Sequence, residues 1–265
     1  MIAISHAART STAFGAFAAF VTIEIRRALR NRRYVMFSVA FPTGFYLLYT
    51  GVLASGASAD SAIDGTTWGA YFMVSMATYA AMVAALSGAI VIARERSSGW
   101  TRQLRVTPLP AAGYVAGKLV VAYVVTLPAI AAVVIAGIAV DHVSLSAVAL
   151  VQMFLSIAIG VLPFAALGLL IGYLFDADSA QGAMMVSLFG LAILGGLWAP
   201  ISSFPDTLAT IGRMLPSFRL ADLGRDAIAG RGPDLADILV LAAYATAIGA
   251  LAAWRYRASE QRASG

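Results

Sequence analysis

Few residues in this 265-residue chain are of a type and spacing to do chemistry. There is no cysteine, which excludes disulfides and thiolate metal sites. His6 and His142 lie outside the apolar runs, so a haem or quinone would find no axial ligand within them. Ser87 and Ser156 do lie within such runs. An intramembrane protease would need a base beside its nucleophile, or paired aspartates, and neither is present. These serines are expected to bond a neighbouring helix backbone. The sole lysine closes Gly113-Tyr114-Val115-Ala116-Gly117-Lys118-Leu119. That run is one residue short of a P-loop and lacks its hydroxyl, so Lys118 is expected to snorkel to a membrane interface. No enzyme activity and no bound metal or cofactor is expected, and any uphill work must draw its energy from a partner.

The elements holding these residues follow from composition. Hydrophobic residues make up 60% of the chain and charged ones 12%. Soluble domains are about half apolar and a quarter charged, so this chain needs lipid as solvent. Six apolar runs are each long enough to cross a bilayer as a helix: 35–55, 67–92, 115–140, 146–174, 179–199 and 234–254. Continuous rather than alternating apolarity excludes barrel strands. The expected fold is therefore an all-α membrane protein with six transmembrane helices in a single domain, 1–265.

Lysine and arginine counts set the orientation. Segments 1–34 and 93–118 and the tail after 254 hold fourteen of the 18 basic residues, whereas 56–66 and the turns at Asp141–His142 and Asp176–Asp178 hold none. Both termini and the 93–118 loop are thus expected on the cytoplasmic side. The exception is 200–233, which must be external yet carries Arg213, Arg219, Arg225 and Arg231. Asp206, Asp222, Asp226 and the following Asp234 balance it. No cleavable signal peptide is apparent, and the Ala/Arg-rich, Lys-poor usage suits a high-GC bacterium. The expected location is a bacterial cytoplasmic membrane.

Two stretches are neither spans nor simple loops. In 14–33, Phe14, Phe17, Val21, Ile25 and Leu29 recur at helical spacing. Glu24 and Arg26, Arg27, Arg30 and Arg33 are placed elsewhere on the wheel. This predicts an amphipathic helix lying in the interface. Segment 200–233, with Pro205 and Pro216, predicts short helices dipping back from the external side. Pro42, Pro128 and Pro163 should kink their spans. Gly113–Gly117 and Gly168–Gly172 should allow close helix approach. With ionisable groups essentially absent from the spans, coupling to an ion gradient is not expected.

The loop after the second span reads Arg94-Glu95-Arg96, Gly99-Trp100, Arg102, Leu104-Arg105, Thr107-Pro108-Leu109. Composition alone leaves two uses open, an ordinary basic loop or a short amphipathic helix that docks in a partner's groove. Here the pattern Arg-Glu-Arg-x-x-Gly-x-x-x-x-Leu-x-x-Thr-Pro-Leu, then Gly117-Lys118-Leu119, resembles ABC-2 type permeases, the membrane subunits of type V-like ABC exporters. A second match is Leu197-Trp198-Ala199-Pro200 with Phe204-Pro205, Leu215-Pro216-Ser217-Phe218, Asp222 and Arg225. It resembles the family's external re-entrant region.

The resemblance covers essentially the whole chain. It implies that 94–106 is a coupling helix touching an ATPase subunit through Arg94, Glu95, Arg96, Gly99, Trp100, Arg102, Leu104 and Arg105. Glu95 is expected to pair with an arginine of the 26–33 helix or with Arg102. The resemblance also implies a substrate path between two permeases, lined by spans one, two and five. Candidates are Phe37, Phe41, Phe45, Met73, Met76, Tyr79, Met184, Met185 and Phe189. The implied partners are a nucleotide-binding subunit, which holds ATP and magnesium, and a second permease, identical or homologous. No nucleic acid is expected. The implied function is export of hydrophobic or amphipathic compounds, as in drug or antibiotic efflux. The alternatives are lipid or polysaccharide-precursor export, a non-transporting scaffold or immunity protein, and a proton antiporter.

Overall fold

The computed structural model describes residues 2–53, 62–63, 66–99 and 111–264. Its helices, in chain order, are α1 (Ile2–Leu29), α2 (Arg32–Val35), α3 (Phe41–Leu48), α4 (Trp68–Leu86), α5 (Gly88–Ser97), α6 (Ala111–Ala139), α7 (Ala147–Gly160), α8 (Leu162–Leu174), α9 (Ala177–Leu194), α10 (Asp206–Met214), α11 (Pro216–Ile228) and α12 (Leu235–Ser264). The only strands among the described residues are Ala62–Ile63 and Thr66–Thr67, paired antiparallel as a hairpin. The protein is an all-α membrane protein. Among the described residues, five helical stretches are long and apolar enough to cross a bilayer: Trp68–Ser97, Gly113–Ala139, Ala147–Leu174, Ala177–Leu194 and Leu235–Tyr256.

α4 is the hub. The Thr67 hydroxyl caps it by accepting the Ala70 N–H at 3.4 Å. It is apolar on every side, and every residue from Ala70 to Leu86 is buried, as befits a helix enclosed by others. α3, α6, α7, α8, α9 and α11 all pack against it. Ser87 then interrupts the span, its Oγ donating to the Ala84 carbonyl at 2.6 Å. α5 carries the helix on to Ser97, beyond the expected end at residue 92.

Other spans also break where the chemistry asks for it. The expected single helix over 146–174 is α7 and α8 joined at Val161, with Pro163 in the first turn of α8, where its missing N–H costs little. Pro128 stays inside α6. Three residues before it, the Val125 carbonyl accepts the Tyr34 hydroxyl at 2.7 Å, tying the start of the first apolar run to α6. That run, expected as a plain span over 35–55, alternates α and π turns. Met36–Ala40 and Tyr49–Leu53 are π, and Pro42 stands just past the first of them. The fifth span ends at Leu194, short of residue 199, because Gly196 takes φ +74° and reverses the chain. Its start is capped by Asp176, whose carboxylate accepts the Ser179 N–H at 2.8 Å, and this bond holds its pKa below the ordinary carboxylate range. The acidic turn is therefore a helix cap, with Asp178 also facing the positive end of α9.

One expectation for the segments outside the spans needs correcting. The N-terminal helix covers Ile2–Leu29 rather than 14–33. Phe17, Phe20, Val21 and Ile25 pack on the bundle, while Phe14 and Leu29 are exposed. Glu24 is on the packed side, because seven residues is two turns less about 20°, which puts it almost in line with Phe17. At the other end, α11 is built into the bundle against α4, α7 and α12, with Leu220 and Ala221 fully buried. Gly224 permits this: a Cβ there would lie 2.7 Å from Val74 Cγ1.

Candidate functional site

Three helices meet at a buried knot of charge. Glu24 comes from α1, Glu95 from the last turn of α5 and Lys118 from α6. All three are buried, at 8%, 4% and 7% exposure. The Lys118 ammonium donates to Glu95 Oε1 at 2.8 Å and also to Glu24 Oε2. Tyr114, one turn before Lys118, donates its hydroxyl to Glu95 Oε2 at 2.6 Å. Arg27 closes the charge balance more loosely, at 3.5 Å from Glu24 and 3.4 Å from Glu95, with its side chain mostly solvated. The rings of Phe20 and Tyr114 lie 5.5 and 5.4 Å from the ammonium. Phe20 can close over it because Gly117 has no Cβ; one would sit 2.6 Å from the ring.

Glu95 and its neighbour Arg96 reach opposite ways. Arg96 donates to the Gly172 carbonyl at 2.8 Å, in the last turn of α8, and lies 5.5 Å from the Tyr173 ring. A cation suits that helix end. Tyr173 in turn packs edge-on to Tyr256 of α12 at 5.3 Å. One turn of α5 is thus fastened to α1 and α6 on one side and to α8 and α12 on the other. Arg94 is exposed, beside a cavity of about 130 Å³ that Glu24, Asn31 and Lys118 also line. Gly99 turns the chain at φ +74°. Trp100, Arg102, Leu104 and Arg105 lie outside the described residues, as does the Arg33 side chain. Arg26 on α1 and Arg30 just past its end are exposed.

Of the partners expected for Glu95, Arg27 is present but secondary; the close one is Lys118, which is buried instead of snorkelling. Ionisable groups are buried at both ends of the bundle, and the two within the expected spans, Lys118 and Asp237, stand near the ends of those spans. At the far end, Arg219 meets Asp237 at 2.8 Å, with Asp237 fully buried. Arg225, 4% exposed, bonds Asp222 at 3.2 Å and lies 5.2 and 5.0 Å from the Tyr71 and Phe218 rings. Arg231 meets Asp226 at 2.8 Å. Three of the four arginines that broke the basic-residue count are therefore neutralised in place.

The apolar candidates divide into two groups. Met73, Met76, Tyr79 and Met184 are buried inside the chain, and side chains so enclosed touch no cargo in this conformation. Phe37, Phe41 and Phe189 are exposed, and Phe45 and Met185 half-buried. Phe41 stacks on Phe45 at 5.9 Å and tilts against Tyr79 at 6.1 Å. Trp198 links Phe45, Tyr79 and Phe189 at 5.4, 5.9 and 5.6 Å. Trp198 was read from sequence only as part of a motif, yet it joins α3, α4 and α9 into one aromatic wall.

The family model described as ABC-2 family transporter protein matches residues 26–254, most of the chain. This chain belongs to the ABC-2 transporter family. A similar protein is YvfS of Bacillus subtilis (strain 168), by its name a transport permease. It is 32% identical over 222 residues, covering 83% of this chain and 89% of the relative. This ABC-2 permease is a multi-pass membrane protein. The match takes in Glu95, Lys118, the aromatic wall and α11, and begins two residues after Glu24.

Proposed function

We propose that this ABC-2 permease is the membrane subunit of an ATP-driven exporter of hydrophobic or amphipathic compounds, with drug or antibiotic efflux as the cargo class. Six crossings, counting 32–53 as the first, place both termini and the 94–106 segment in the cytoplasm. α1 lies along the cytoplasmic interface. Two permeases pair, and two separate nucleotide-binding subunits hold ATP and magnesium.

The Glu24–Lys118–Glu95 knot carries this reading. The 94–106 segment begins with the last turn of α5, which holds Glu95 and Arg96, and a push there reaches α1, α6, α8 and α12 together through these two residues. The aromatic wall of α3, α4 and α9 supports an apolar cargo, since such surfaces adapt to varied shapes. Its exposed part, Phe41 and Phe189, is available to a second permease, as is the exposed Phe37 ahead of α3.

The test is reconstitution of the permease with its ATPase in proteoliposomes. Flux should need ATP and stop with vanadate. Glu95→Gln leaves Lys118 paired with Glu24, so the complex should assemble and hydrolyse ATP, while flux per ATP falls on the order of tenfold, the scale of a coupling free energy of ~1.4 kcal/mol. Full transport by that variant removes the lever role. Flux that follows a pH gradient and ignores vanadate removes the ATP-driven reading.

A further inference from the structure

A cavity of about 400 Å³ lies on the side of the molecule formed by α7, α8, α11 and α12. It is walled by none of α3, α4 and α9, the helices of the aromatic wall. It follows from the break between α7 and α8: Gly160 and Pro163 flank the joint, and small residues, Ala227, Ala242 and Ala245, face it from α11 and α12. Leu223 and Leu241 are its buried floor. Its lips are Leu155, Ile159, Leu162 and Ile238, large apolar side chains that are 42–60% exposed. Apolar side chains this exposed on spanning helices face lipid; apart from Arg231, the polar side chains of the lining are Gln152 and Ser156, both on α7.

Its dimensions and its one charged rim residue say what fills it. From the start of α12 at Leu235, two residues after the lining residue Pro233, to Ala245 the helix advances ten residues, roughly 15 Å at 1.5 Å per residue. Half of a ~30 Å hydrocarbon core is about the same length. At the mouth stands Arg231, whose Nε is bonded to Asp226 while the side chain remains 54% exposed. The rim thus offers the outer nitrogens of a solvated guanidinium, whose Nε alone is bonded to Asp226, above a slot about one leaflet deep.

We propose that this groove is a phospholipid site: one acyl chain lies between the α7–α8 joint and α12, and the phosphate sits at Arg231. The bound chain fills the wedge left by the helix break and supports α11 from the side opposite α4. The topology proposed above makes this the outer leaflet; the groove itself does not depend on that assignment.

The experiment uses the full chain in lipid nanodiscs carrying a glycerophospholipid with a mid-chain diazirine. After illumination, adducts are mapped by peptide mass spectrometry. The expected result is adducts concentrated in 152–163 and 238–245, several-fold above Ile135 and Val186, which are at least as exposed. Ala242→Trp should lower groove labelling to that reference level. Arg231→Gln should lower it for the phospholipid probe but not for a diazirine fatty alcohol without phosphate. Labelling spread evenly over all exposed apolar positions, or undiminished by a folded Ala242→Trp variant, overturns the proposal. Should that variant not fold, the wild-type pattern alone decides. No ATPase is involved, so failure here leaves the coupling reading standing.

Discussion

Lys118 is the residue whose removal should be felt most, because two buried carboxylates share its ammonium. A buried ion pair adds little net stability compared with apolar packing, but removing one partner strands charge in a low-dielectric site. Lys118→Met should cost about 3–5 kcal/mol, read from thermal or denaturant unfolding in detergent. Adding Glu24→Gln and Glu95→Gln should recover most of that loss, since no unpaired charge then remains buried and Arg27 is mostly solvated. Lys118→Met unfolding like the parent would mean the ammonium is not the shared partner. Glu24 escaped the sequence reading for a simple reason. A wheel drawn through the apolar residues of α1 treated every charge as solvated, although Glu24 falls in line with Phe17. The i, i+4 pair Tyr114 and Lys118 was visible as spacing, but its two carboxylate partners lie on other helices.

Among the elements, α8 approaches α4 and α5 through Gly168 and Gly172, the small pair expected to allow close packing. A Cβ on Gly168 would lie 3.0 Å from the Ala85 carbonyl oxygen, and one on Gly172 2.9 Å from that of Ala89 and 2.8 Å from Ile92 Cβ. Backbone cannot step aside as a flexible side chain can. Gly172→Ala should therefore destabilise by about 1–3 kcal/mol and disturb the Arg96 contact with its carbonyl. Gly190, in α9, is the internal comparison. A Cβ there meets nothing within 4 Å. Gly190→Ala should be neutral or stabilising by up to about 1 kcal/mol from helix propensity. Melting temperatures of the two variants side by side check both, and equal effects would refute the packing argument.

For the whole molecule, the sidedness of the two ends is the decisive quantity. The absence of cysteine makes single-cysteine labelling clean. Ser97→Cys sits at the exposed end of α5, and Ser203→Cys in the exposed turn before α10. A membrane-impermeant maleimide added to intact cells should modify position 203 and spare 97 until the cells are opened. The reverse pattern would put the Glu95–Lys118 end outside, out of reach of any cytoplasmic ATPase. Arg219, Arg225 and Arg231 each pair with an aspartate, so the end of the bundle opposite Lys118 is held by local ion pairs.

The sequence by itself determined that the chain lives in lipid, which stretches are apolar enough to cross it, and the Arg94–Leu109 pattern that resembles ABC-2 permeases. Those properties are written in runs of neighbouring residues, because a span is a local length of apolar chain. Only the tertiary structure decided that Lys118 is shared by Glu24 and Glu95, that Trp198 joins three helices, and that α11 is packed inside the bundle. Lys118 and Glu24 are 94 residues apart. Nothing in either neighbourhood encodes their meeting; it arises when Gly117 lets Phe20 of α1 settle against α6.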